Sequence, residues 1–172
     1  MKKGISTLII LLIFISCTEY ISDKELKYMP YESGQFLIFE NRKDKSIDTI
    51  YISNIKRFVP DGPQIHFNEA IKAYNRKNDW IISLSAGYGK YSDSYIKIRG
   101  LSGKHYLKEL DTKKETSLKT RTMNFDDVIL LEKKEGGIGN IIKVFWSKSK
   151  GIVEFVEKDE TIWQLIELNK LK

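Results

Sequence analysis

The residue types that do chemistry are sparse in this chain: two histidines, one cysteine, and carboxylates dispersed among lysines. His66 and His105 stand far apart, and neither belongs to a short metal-ligand spacing. With a lone cysteine, a Cys/His zinc site lacks donors, so no metal is expected; only a site of His66, His105 and a carboxylate could be constructed. Asp126 and Asp127 adjoin in "FDDV". A glycosidase needs two carboxylates facing one bond, whereas neighbours on a strand point to opposite faces, so the pair is read as a turn before a strand. Asp44 and Asp48 in "NRKDKSIDT" lack the alternating ligands and closing Glu of a calcium loop, and a polar hairpin tip is expected. No serine lies in Gly-x-Ser-x-Gly. The glycines of "EGGIGN", 135–140, are not followed by Lys-Ser/Thr in a strand–loop–helix unit, so they predict a hairpin loop and not a phosphate cradle. No catalytic residue and no cofactor is expected. The chain reads as non-enzymatic, with a hydrolase built from dispersed carboxylates and His105 as the weaker alternative.

Aromatic content is the distinctive feature, with nine Tyr, eight Phe and three Trp. Tyr88, Tyr91 and Tyr95 cluster at a Gly-rich turn in "SLSAGYGKYSDSY" and form the candidate binding surface, since such rings offer contact area at little entropic cost. The competing reading places aromatics in the core and in cross-strand pairs. Charge points to no polyanion: the net +6 is spread through mixed runs such as "KDK" and "DTKKE", and Lys56-Arg57 stands alone. Nucleic acid would call for a coherent basic face with interleaved aromatics. The linear order shows none, and no nucleic-acid partner is expected.

The elements that must position these residues are short apolar runs between turn residues, the mark of an antiparallel β protein. Expected strands are 35–41, 48–55, 80–86, 94–99, 117–123, 128–133, 141–147, 152–157 and 161–168, all rich in Ile, Val, Tyr, Phe, Trp and Thr. Ile162 and Ile166 on one face and Trp163 and Leu165 on the other require cover on both sides. Gly151 closes "SKSKG" as the left-handed residue of a bulged hairpin. "QIHFNEAIKAYN", 64–75, fits helix and strand spacing alike, and period alone does not decide it. Pro60, Gly62 and Pro63 make 58–64 a loop. The expected class is mainly β: one antiparallel curved sheet, as half-barrel, barrel or sandwich, with at most one or two short helices.

The first residues read Met1, Lys2, Lys3, an apolar run to Ile15, then Ser16-Cys17. A positive head, an apolar middle and a small residue before the cut make a secretory signal, expected over 1–16. Eleven helical residues would reach about 16 Å, short of the ~30 Å hydrocarbon of a bilayer. The sequence around Cys17 resembles the lipobox of bacterial lipoproteins, in which the cysteine is acylated and becomes the first residue. That resemblance implies attachment to the membrane through acyl chains on Cys17, palmitate among them. Each buried methylene contributes about 0.8 kcal/mol, so several chains hold where one is marginal. Residues 17–30 are then a lipidated tether and 31–172 a β-rich domain. Loss of Lys2 and Lys3 lowers the net charge from +6 to +4.

Two phrases carry a further resemblance. "YMPYESGQFLIFEN" and "FDDVILLEKK…IIKVFWSKSKGIVEFVEKDETIWQLIEL" resemble the opening and the terminal β-meander of small uncharacterised Bacteroidetes-type outer-membrane lipoproteins. The resemblance covers roughly 30–55 and 125–168 and implies a curved antiparallel sheet, half-barrel or barrel. It carries no catalytic or binding residue. Surface-displayed members resemble one another in an acidic cluster after the cysteine; here Glu19 stands alone near it, which points to the periplasmic side of the outer membrane, with display on the outer surface as the alternative. The expected role is a lipid-anchored envelope protein, a non-catalytic binding or structural module for a protein, glycan or apolar ligand. The alternative is a carrier or chaperone for lipid-like ligands in a half-barrel hollow.

Overall fold

A computed structural model describes residues 18–59, 67–87, 93–134 and 139–170. Among them the chain is mainly β. The N-terminal part runs β1 (Thr18–Glu19), α1 (Asp23–Leu26), β2 (Gln35–Asn41), β3 (Ile47–Ile52), β4 (Asn54–Phe58), β5 (Phe67–Asn68) and β6 (Ala70–Tyr74). There follow β7 (Trp80–Ser85), β8 (Tyr95–Ile98), β9 (Leu101–Tyr106), α2 (Leu107–Thr112) and β10 (Thr116–Lys119). The C-terminal meander is β11 (Asn124–Glu132), β12 (Ile141–Ser147), β13 (Gly151–Glu157) and β14 (Ile162–Lys170).

Twelve of these strands form one sheet, in the order β3-β2-β14-β13-β12-β9-β8-β7-β6-β4. β11 also pairs with β12 and carries β10 on its other side. Every pairing in it is antiparallel except a single parallel contact, Ile141 opposite Leu101, where β12 meets β9. The two ends of the order, β3 and β4, are consecutive in sequence with Ser53 between them. The N–H of Ser53 donates to the Tyr74 carbonyl (2.8 Å), and its hydroxyl to the carbonyls of Tyr74 (3.0 Å) and Asn75 (2.7 Å). One long strand therefore pairs with β2 through its first half and with β6 through its second. The sheet nearly closes on itself as a barrel.

Strand register sorts the side chains. Ile71, Leu84, Ile96 and His105 lie opposite one another across β6 to β9, and Ala73, Ile82, Ile98 and Leu101 form the next row. All eight are buried, so this face is the interior. From the other wall come Leu131, Val144 and Phe155, then Ile129 and Trp146, with the rings of Phe39 and Phe155 5.2 Å apart. Burying each large apolar side chain contributes about 1.5–3 kcal/mol. The interior is thus filled by branched and aromatic side chains from both walls.

The N-terminal stretch completes this core. Ser22 and Glu25 form a capping box that starts α1. Ile21, Tyr28, Met29 and Tyr31 are buried in the same apolar cluster as the barrel residues. Tyr28 Oη donates to Asp111 of α2 (2.6 Å), which also pairs with Lys27 (3.0 Å), while Leu107 and Leu110 of α2 turn inward. Strand directions put both helices, the β12–β13 turn and β1 at one end of the barrel. On the outside of β14 and β2, the turn after β10 supplies the cover that a strand apolar on both faces requires. Thr122 Oγ1 donates to the Ile166 carbonyl (2.6 Å) and Arg121 pairs with Glu40 (3.0 Å).

Several expectations change. The stretch 17–30, expected as a tether, puts Ile21, Tyr28 and Met29 into the core, because the end of the barrel needs apolar cover. The ambiguous 64–75 is strand over its described part, β5 and β6, with Glu69 between them. Asp126 and Asp127 lie within β11, and the turn comes earlier, at 120–123. Their faces differ: Asp126 is exposed, while Asp127 accepts from Ser147 Oγ (2.7 Å) and the Ser149 N–H (2.8 Å) and so shapes the β12–β13 turn. β9 and α2 were not expected as such. The strand expected over 48–55 is interrupted at Ser53.

Candidate functional site

The staggered closure leaves a gap beneath the β4–β6 pairing. There the second edge of β3, which has no ladder partner among the described residues, faces the 75–79 turn across a cleft of about 520 Å³. The turn is held by the Asn75 side chain, which accepts from the N–H groups of Lys77 (3.0 Å) and Asp79 (2.9 Å), with Asn78 in the left-handed region at φ 60°. That frame projects Arg76 over the ring of Tyr51, its guanidinium carbon 3.8 Å from the centroid. Arg99, from the β8–β9 turn, pairs with Asp79 at 2.8 Å, and this hydrogen bond holds the Asp79 carboxyl below the ordinary carboxylate range against its partial burial. Asp48 and Ile50 complete the β3 side. Open backbone groups, an aromatic ring capped by a cation and a fixed ion pair can recognise an extended chain. None of these groups is placed as a nucleophile with its base.

The aromatic and basic side chains gather elsewhere. On the outer face of β4, β6, β7 and β8, Lys56, Lys72, Ser83 and Lys97 stand in one cross-strand row. The adjoining row holds Phe58, Ala70, Ser85, Tyr95 and Tyr106. Lys72 lies over Phe58 (5.0 Å), Lys56 over Tyr74 (5.1 Å) and Lys104 over Tyr95 (4.5 Å). A β-bulge in β9, with Gly103 at φ 106°, opens a shallow pocket of about 350 Å³ between Trp80, Lys97 and Lys104. The expectation of a dispersed charge without a basic face is thereby corrected: each lysine comes from a different part of the chain, and only the sheet brings them together.

Of the candidate binding tyrosines, Tyr95 sits half-buried on this wall, edge-on to Tyr106 with centroids 6.0 Å apart. Tyr88 and Tyr91 lie outside the described residues, as do Cys17 and His66. His105 is buried on the interior face of β9, only 3% exposed, with Nε2 unpartnered among the described residues. Burial, with repulsion from Lys134 and Lys113, lowers its pKa to about 4 against a smaller opposing pull from Glu109. Among the described residues no three His, Cys, Asp or Glu side chains gather as metal ligands.

The residue that sequence reasoning missed altogether is Glu69. Fully buried between β5 and β6, it pairs with Arg57 of β4 and accepts the Ile21 N–H at 2.7 Å. It ties the N-terminal segment to the barrel wall. A lone acid interrupting an apolar run was its only signal.

No model of a known family, no curated protein and no solved structure matches this chain.

Proposed function

We propose that this protein is a lipid-anchored component of the cell envelope, held through acyl chains on Cys17, that binds a partner protein at the seam cleft without catalysis. The observation that carries the reading is the open edge of β3 beside Tyr51 and Arg76, which has no ladder partner among the described residues and faces a cleft. An extended segment added there gains backbone hydrogen bonds for affinity, and the Arg76–Tyr51 stack and the Arg99–Asp79 pair supply selectivity. The cleft is at the end of the barrel away from β1, so an anchor at residue 17 leaves it accessible. The filled interior weighs against the alternative of a carrier with a lipid-sized hollow. His105, on which a hydrolase would draw, faces that interior and not the cleft.

The test is a photo-crosslinking residue at Thr49 in the full chain, expressed in its native membranes. A discrete protein adduct is expected, diminished at least tenfold by Arg76→Glu and by Tyr51→Ala. Failure to crosslink, or adducts indifferent to both substitutions, removes the cleft from the proposal. Labelled palmitate tests the anchor separately: incorporation is expected in the wild type and absent in Cys17→Ser. Lipid copurifying in stoichiometric amount would favour the carrier.

A further inference from the structure

The outer wall of β4, β6, β7, β8 and β9 sets Lys56 directly opposite Lys72. Like charges in that position repel. Among the described residues neither lysine has a carboxylate within 4 Å. Register places Lys56, Lys72 and Lys97 outward on this wall with Phe58, Tyr74 and Tyr95, and no acid shares their cross-strand rows. On the far side of the barrel the corresponding outward row is Glu154, Gln164 and Glu40. Both acids of that row are buried and Glu40 is paired with Lys45 and Arg121, whereas the lysines of the β4–β9 wall have no acidic partner among the described residues.

We propose that this wall lies flat against an anionic membrane surface, its lysines meeting the phosphates of lipid headgroups. Three observations select a membrane over a soluble polyanion. β1 pairs with β5, the upward continuation of β6, and residue 17 is one peptide unit, about 3.8 Å, from Thr18. Whatever holds residue 17 holds the upper corner of the wall with it. At that corner Tyr20, Phe58 and Val59 are 60%, 42% and 43% exposed, the apolar and aromatic side chains that favour the headgroup–acyl boundary. The lysine amines also lie over aromatic rings of the same wall, so cationic and aromatic groups are interleaved there as they are at a headgroup interface. The orientation rests on the Cys17 anchor proposed above; the charge complementarity does not.

Lysine reactivity tests the proposal on the full chain. The protein is reconstituted with vesicles of phosphatidylcholine alone or mixed with phosphatidylglycerol, treated with an amine-acetylating ester, and read by mass spectrometry. Lys56, Lys72, Lys97 and Lys104 are expected to be protected at least fivefold by the anionic vesicles, with protection lost in 0.5 M salt, while Lys43 and Lys158 are unchanged. Neutralisation of one charge, Lys72→Gln or Lys97→Gln, is expected to weaken association with anionic vesicles by about fivefold. Equal reactivity of the four lysines on both vesicle types overturns the proposal even if palmitate is incorporated. Protection that persists in Cys17→Ser retains it even if the anchor fails. Protection by an acidic polysaccharide or a single-stranded oligonucleotide, and not by vesicles, transfers the wall to a soluble polymer and overturns the membrane assignment.

Discussion

The hydroxyl of Tyr31 accepts a hydrogen bond from the backbone N–H of Ile152 at 2.7 Å, while its ring lies edge-on to Trp146 with centroids 6.1 Å apart. Gly151, immediately before, has φ 82°, and a Cβ there would collide with the Tyr31 phenol. The N-terminal segment and the first residue of β13 are thus fitted to each other. Tyr31→Phe leaves the Ile152 N–H buried without a partner, a cost of about 1–3 kcal/mol. Gly151→Ala adds backbone strain to the collision and is expected to cost more than Tyr31→Phe. Urea unfolding followed by near-ultraviolet circular dichroism measures both.

Trp146 is fully buried and its indole Nε1 has no partner among the described residues. Replacement by Phe removes volume but forfeits no hydrogen bond. Trp146→Phe is therefore expected to be much milder than Trp146→Ala, for which a cavity of this kind costs about 3–5 kcal/mol. The same denaturation experiment compares them, and an equal loss in the two variants would contradict this account.

His105 couples stability to acid. Its pKa falls from 6.5 to about 4 in the folded chain because burial disfavours the imidazolium. Between those values the unfolded chain binds more protons, so stability is fully present above pH 6.5 and is lost as pH falls towards 4. The contribution at neutral pH is about 3 kcal/mol. His105→Leu is expected to flatten the stability profile between pH 6.5 and 4, and an unchanged slope would show that another group titrates.

Arg57 and Glu69 make the remaining prediction. The Glu69 carboxyl is held below its ordinary range by the hydrogen bond from Arg57, which with the Ile21 N–H outweighs the cost of burial. This contribution is present above pH 4.5 and lost as pH falls below it, a second acid limb under that of His105. Arg57→Ala strands the Glu69 carboxylate and is expected to destabilise the fold more than removal of an exposed ion pair such as Lys134–Glu109, as read by urea unfolding. Hydrogen exchange at the Ile21 amide should accelerate in that variant more than exchange at Ile96 or Val144.

The strands of the meander were legible in the sequence because their residues declare themselves locally. β12 and β13 carry β-branched or aromatic side chains at nine of their fourteen positions, with "SKSKG" as an unambiguous turn. β9 was not legible: Gly103 and a bulge break its alternation, and His105 sits where an apolar residue would have marked the inward face. The 64–75 stretch stayed undecided because Glu69 interrupts its strand spacing, and the compensating partners of that acid come from Ile21 and Arg57. The basic wall was illegible for the same reason. Lys56, Lys72, Lys97 and Lys104 are neighbours only through strand register, which local sequence does not carry.

The junction at Ser53 has a dynamic consequence. Below the β4–β6 ladder the seam is held, among the described residues, by the hydrogen bonds of Ser53 to Tyr74 and Asn75, with no ladder bridging β3 to the 75–79 turn across the cleft. Breathing of the molecule should begin there as an unzipping of β4 from β6, long before the meander yields, so the earliest protease nick should fall on that side of the sheet. A strand bound along β3 would span the split like a splint, raising the threshold for opening.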